Sequence, residues 1–168
     1  MPGCPTPGPT ARRESGTTHT QTSLVDAQGD FSAERVSPYR GLVRWIVDGM
    51  NVVGSRPDGW WKDRGRAMVA LVDRLDRWAS VQGDDVTVVF ERPPSTAITS
   101  SVIEVAHAPK AAANSADDEI VRLVQVDARP HEIRVVTSDK ALTYRVQSLG
   151  ASVFPAESFR DLIDPRGQ

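Results

Sequence analysis

At 168 residues the chain has room for one ordinary domain and not for two comfortable ones, so a single core is the starting expectation. A composition of 39% hydrophobic and 25% charged residues excludes fibrous, collagen-like and wholly disordered classes. A net charge of -2 excludes a chain that coats nucleic acid through bulk positive charge and leaves a local basic patch as the route to such a partner. The single cysteine, Cys4, has no partner for an internal disulfide and cannot build a zinc site, a usage that fits a reducing compartment. No run approaches the roughly 18 apolar residues of a membrane span. The opening Met1 to Thr10 lacks the charged start and apolar block of a secretory signal, so a cytoplasmic protein without a membrane partner is expected.

Residues 1–38 are rich in Pro, Gly, Ser and Thr and poor in large apolar side chains, so burial offers too little to offset the entropy of ordering. They read as a disordered extension, and the folded domain is expected over 39–164. Within it, apolar strands alternate with helical patterns, which predicts an α/β fold with a mainly parallel sheet. The first strand is expected over 42–48, followed by a loop from Val52 to Lys62. A helix then runs through about Val81, with Met68, Leu71, Val72, Leu75 and Trp78 recurring at spacings of three and four. Gly83 to Asp85 turn the chain into a strand over 86–90, which Pro93 and Pro94 prevent from continuing far past Glu91. Ser101 to Ala106 alternate enough for a further strand. A helix begins near Ser115, read as its cap, with Ile120, Val121, Leu123 and Val124 inward. Arg129 and Pro130 end that helix, and a β-branched strand follows over 133–138. The remaining elements are a helix over 140–148 closed by Gly150, a short strand over 151–154 and a terminal helix over 155–162.

In open α/β sheets the binding crevice lies beyond the carboxyl ends of the strands. Asp48, Glu91 and Asp139 all fall at such ends, and Asp117 with Asp118 opens a helix whose preceding loop leads from the same edge. A persistent cluster of like charges raises its own pKa values unless a cation neutralises it, which points to a metal site. Hard divalent ions, Mg2+ or Mn2+, suit carboxylate oxygens, and magnesium keeps several waters and takes substrate phosphate as a further ligand. Such an ion serves phosphodiester hydrolysis. Each acid also has an ordinary reading: a turn at Asp48-Gly49, helix-dipole complementarity at Asp117 and Asp118, an N-cap at Asp139, and a solvated loop residue at Glu91. Asn51 suits a bond to phosphate or to a neighbouring acid, or holds the turn after the first strand. Ser138 suits a contact to a carboxylate or to substrate, or a helix cap. Trp60, Trp61, Lys62 and Arg64 combine aromatic faces with basic groups, which suits a nucleic-acid strand. The same tryptophans also suit covering the sheet edge, and the two rings can divide these roles. Lys110, Arg92 and Lys140 add positive charge around the acids, and His107 is a phosphate contact or proton donor if it is not simply structural.

Four segments in order, Ile46 to Asn51, Val88 to Glu91, Ser115 to Ile120 and Val135 to Asp139, resemble the NYN domains of the PIN-like nuclease group, particularly the YacP-like branch. The likeness covers roughly 43–162. It implies a Rossmann-like three-layer sandwich and a metal-dependent endoribonuclease acting through a metal-activated water. Asp48, Asp117 and Asp139 match the family's acidic ligands, and Asn51 matches its accompanying asparagine. Met50 stands where the family often has Tyr, and Glu91 where Asp is usual. RNA is the implied partner, and a ribosome or other ribonucleoprotein is a further candidate. The alternatives are a non-catalytic RNA-binding module on the same fold and a phosphatase of the haloacid dehalogenase type. Met50 argues against the phosphatase, since it occupies the place where that chemistry needs a second aspartate.

Overall fold

A computed structural model of the chain describes residues 43–110 and 112–165. The extension expected over 1–38, with Cys4, and the expected opening of the domain at 39–42 lie outside the described residues.

Five strands form one sheet: β1 (Arg44–Asp48), β2 (Asp85–Phe90), β3 (Glu104–His107), β4 (Ile133–Val136) and β5 (Ser152–Phe154). All their pairings are parallel, in the order β3-β2-β1-β4-β5. The helices are α1 (Gly49–Gly54), α2 (Arg64–Gln82), α3 (Ser115–Val126), α4 (Lys140–Ser148) and α5 (Ala156–Ile163). Alternate strand residues serve opposite faces. Trp45, Val47, Val86, Val88 and Phe90 pack with α1, α2 and α5, whereas Ile46, Val89 and Val135 pack with α3 and α4. The expected three-layer α/β sandwich is therefore what the chain forms, with helices covering both faces of a parallel sheet.

Local chemistry explains each helix boundary that carries the site. Asp63 accepts from the Arg66 amide at 2.9 Å to start α2, and Gly83, at φ 74°, ends it in the left-handed conformation. Leu71 and Leu75 on its inner stripe are fully buried, worth about 1.5–3 kcal/mol each.

Three expectations need correction. The loop expected from Val52 begins instead as α1, because Asp48 caps it by accepting from the Asn51 amide at 3.2 Å. The strand expected at Ser101–Ala106 shortens to β3. The Ser100 hydroxyl accepts from the Val102 and Ile103 amides at 2.9 and 3.0 Å and holds that stretch in a turn. Ser115 is not the cap of α3. Asn114 occupies that place at φ 60°, while the Ser115 hydroxyl donates to the Glu91 carbonyl at 3.4 Å.

An ion-pair network ties the segment after α1 to α5. Arg56 pairs with Asp161 and Asp164, Arg74 reaches Asp164 at 3.0 Å, and the buried Arg160 reaches Asp58 at 3.1 Å. Burial and the neighbouring Arg74 hold the Arg160 guanidinium below its usual pKa. Among the described residues no helix is long and apolar enough to cross a membrane.

Gly49 has a specific reason to lack a side chain: a Cβ there would sit 2.3 Å from the buried Phe90 ring. Gly54 has room, its nearest would-be contact being Trp60 at 3.7 Å. In urea denaturation Gly49→Ala is expected to destabilise by about 1–3 kcal/mol through overpacking. Gly54→Ala is expected to fall within about 1 kcal/mol of neutral or to stabilise. Equal effects at the two positions would refute the close-packing account.

Candidate active site

β1 lies at the point where the chain order reverses, with β2 on one side and β4 on the other. The crevice beyond that switch is where α/β sheets hold ligands. The register Ile46↔Val135 and Val47↔Val136, carried one step further, sets Asp48 beside Thr137. Both side chains are buried, and the Thr137 hydroxyl bonds Asp48 Oδ2 at 3.3 Å. The same hydroxyl oxygen accepts from the Asp139 amide at 3.1 Å, so one threonine positions two of the acids. Asn51 links the same loops from the other side, its Oδ1 accepting from the Ser138 amide at 3.0 Å.

Each of the three principal acids sits at the start of a helix. Asp48 caps α1, Asp139 caps α4 by accepting from the Leu142 amide at 2.8 Å, and Asp117 lies in the first turn of α3. Helix N-termini favour negative charge there, yet at Asp48 and Asp117 burial prevails. Desolvation, reinforced by the charges of Asp117 and Asp139, pushes the Asp48 carboxyl up to about 6 despite its bonds from Asn51 and Thr137. Asp117 is likewise raised, first by burial, then by Asp139, with Asp118 and Glu91 adding to the effect and Arg145 opposing it. These carboxylates share one field.

The other predicted residues take distinct places. Glu91, half-buried just past β2, contributes its charge to the cluster, and its backbone carbonyl receives Ser115. Asp118 is exposed and paired with Arg145 at 2.9 Å. The Ser138 hydroxyl oxygen accepts from the Ala156 amide at 3.0 Å, which docks the start of α5. Trp60 is half-buried against the core with Arg64 over its ring at 5.8 Å, whereas Trp61 is 56% exposed and meets Trp60 edge-on. Lys62, Lys110 and Lys140 are exposed and make no bond to the acids among the described residues. His107 packs beside Phe90, and burial favours its neutral form. Thr137 falls inside the strand expected over 133–138 and Arg145 inside the helix expected over 140–148, so neither stands out in the sequence. A β-branched residue at a strand end carries no functional signal until its register partner is known.

The donor set is all carboxylate oxygen, the chemistry that suits magnesium or manganese. Among the described residues no group of three or more acids, histidines or cysteines could by itself hold a metal ion.

A parallel sheet of this order, with acids gathered at the carboxyl ends around the switch point, defines a doubly wound α/β domain with an acidic crevice. The model of the YacP-like NYN domain matches residues 45–167, and the chain belongs to that family. The crystal structure of Rae1 (YacP) from Bacillus subtilis is similar, with a TM-score of 0.61 and 25% identity over 74% of this chain and 77% of that one. A tryptophan-to-leucine mutant of the same protein gives a TM-score of 0.59 at 25% identity, over 74% of this chain and 79% of that one. No curated protein matches the chain. The family supports a function of nuclease type.

The raised pKa of Asp48 has a stability consequence of definite sign. A buried carboxyl raised to about 6 stabilises the fold when protonated, and that contribution is lost as pH climbs from the unfolded value through about 6. With divalent ions chelated, Asp48→Asn should raise the melting temperature near neutral pH, by the equivalent of about 3 kcal/mol. Asparagine caps helices equally well. The gain should shrink as pH falls below about 6, and a melting difference that ignores pH would contradict the assignment.

Proposed function

We propose that this chain is a divalent-metal-dependent endoribonuclease. The observation that carries the reading is the buried Asp48 carboxyl, raised to about 6 and coupled to Asp117 and Asp139 at the switch point of the sheet. Such a cluster costs stability unless a positive charge joins it. Asp48, Asp117 and Asp139 would hold the ion, with Glu91 at the margin and Asp118 drawn away by Arg145. When bound, magnesium or manganese polarises a phosphoryl oxygen and makes a water more acidic.

The chain's own groups do the rest. Thr137 and the Asn51 amide orient Asp48, and the Leu142 amide orients Asp139, so the acids are fixed before substrate arrives. Trp61 offers an exposed stacking face, and Lys62, Arg64 and Lys140 supply cationic groups for backbone phosphates. Arg56 is excluded from that role by its pairs with Asp161 and Asp164.

One observation favours a second reading, a non-catalytic RNA-binding module: no three acids meet the geometry of a closed metal site among the described residues. Cleavage of single-stranded, structured and ribosome-bound RNA with manganese separates the two. Asp48→Asn, Asp117→Asn and Asp139→Asn should each lower the rate by at least about 100-fold, the scale on which electrostatic groups act. Cleavage that survives both chelator and Asp48→Asn rules out metal-dependent hydrolysis, and tight RNA binding with no cleavage under any divalent ion establishes the binding module. Manganese should also raise the melting temperature of the unsubstituted chain and not that of Asp48→Asn. Thr137→Val, close in shape but without the hydroxyl, should weaken manganese binding about 10-fold or more by calorimetry. Unchanged affinity would show that Thr137 does not position the acids.

A further inference from the structure

A cavity of about 220 Å3 opens beside the acidic crevice, between the first turn of α2 and the segment Glu91 to Ser95. Met50, Met68 and Phe90 form its apolar depth, and Pro93 and Pro94 its outer wall. Arg64 and Arg92 stand at it as exposed cationic groups. Glu91 belongs to the cavity and to the acidic cluster alike, and Met50 lies on the turn of α1 that Asp48 caps.

We infer that this cavity takes one nucleobase of the RNA strand, the base next to the phosphodiester held at the acids. The inference rests on the nuclease reading for the identity of the strand. An apolar depth rejects phosphate and accepts the face of a base, which thioether and proline surfaces cover well. The two guanidinium groups match the phosphates that flank such a base, or stack on its plane. Recognition of single-stranded RNA commonly takes this form, with unstacked bases splayed into apolar slots and the backbone held by arginine.

Gly65 lines the cavity, and the nearest would-be contact of a Cβ there is Asp63 Oδ1 at 3.7 Å, an ordinary van der Waals distance. The cavity can therefore be filled from this wall by Gly65→Phe, and from the opposite wall by Ser95→Trp, with Gly65→Ala as the control. Each is placed in the full chain carrying Asp48→Asn, so that cleavage does not intrude. Fluorescence anisotropy then measures binding of short single-stranded RNAs in which each nucleotide in turn is abasic. Loss of one particular base should weaken binding about tenfold, in line with the stacking of a single base. Gly65→Phe and Ser95→Trp should weaken binding of the intact RNA by a similar factor and abolish the response to that abasic position, while Gly65→Ala should preserve it. The proposal is overturned if no single base matters, if the filled variants respond as the parent does, or if the chain binds no RNA. Base-dependent binding together with no cleavage by the unsubstituted chain in manganese would sustain the slot and refute the nuclease reading.

Discussion

The carboxylate of Asp48 is the constraint on which the rest of the site depends. It terminates the central strand, caps the six-residue α1 through the Asn51 amide, and receives the Thr137 hydroxyl from the neighbouring strand. Those bonds stitch the β1–α1 and β4–α4 connections together, and the Asn51 to Ser138 bond repeats the stitch one layer out. The group that organises the crevice is also the one least at ease in it, since burial raises its pKa to about 6. Local instability of this kind is common at functional sites, where activity and stability make opposite demands.

The surroundings are built to keep that constraint in place. Gly49 lets α1 press against Phe90, and Phe90 anchors the end of β2 from which Glu91 departs. On the same face of the sheet, the Arg56–Asp164 and Arg160–Asp58 pairs bind the segment before the Trp60-Trp61 turn to the end of α5, and Arg74 of α2 joins them at Asp164. That turn presents one ring to solvent and seats the other on the core. Stability of such partly buried ion pairs is modest at best, so their consequence is geometric: they decide which way the segment faces.

Part of this was legible in the residues. The β-branched runs ending at Asp48 and Val136, the stripe of Met68, Leu71, Val72 and Leu75, and the order of the acids were enough for a parallel α/β sandwich with its crevice at the strand ends. Other features were hidden because they arise between segments. Asp118 and Asp117 are indistinguishable on a helix start until Arg145 arrives from α4 to pair with one of them. Arg56 reads as one more cation of a basic loop until α5 supplies its aspartates. The Asp48-Gly49 pair reads as a turn, and α1 appears only because the aspartate side chain reaches the Asn51 amide.

By itself the sequence determined the class of fold and the candidates for chemistry, because hydrophobic periodicity and the identity of acidic side chains are local properties of the chain. Tertiary structure alone decided which candidates share a site. Thr137 becomes the positioning group for two acids through strand register, Ser138 turns its hydroxyl to α5, and the apolar slot beside Glu91 exists only where α1, α2 and the segment after β2 meet. The physical reason is that pKa shifts, bridging hydrogen bonds and cavities are set by distances between residues far apart in sequence, and no local pattern encodes those distances.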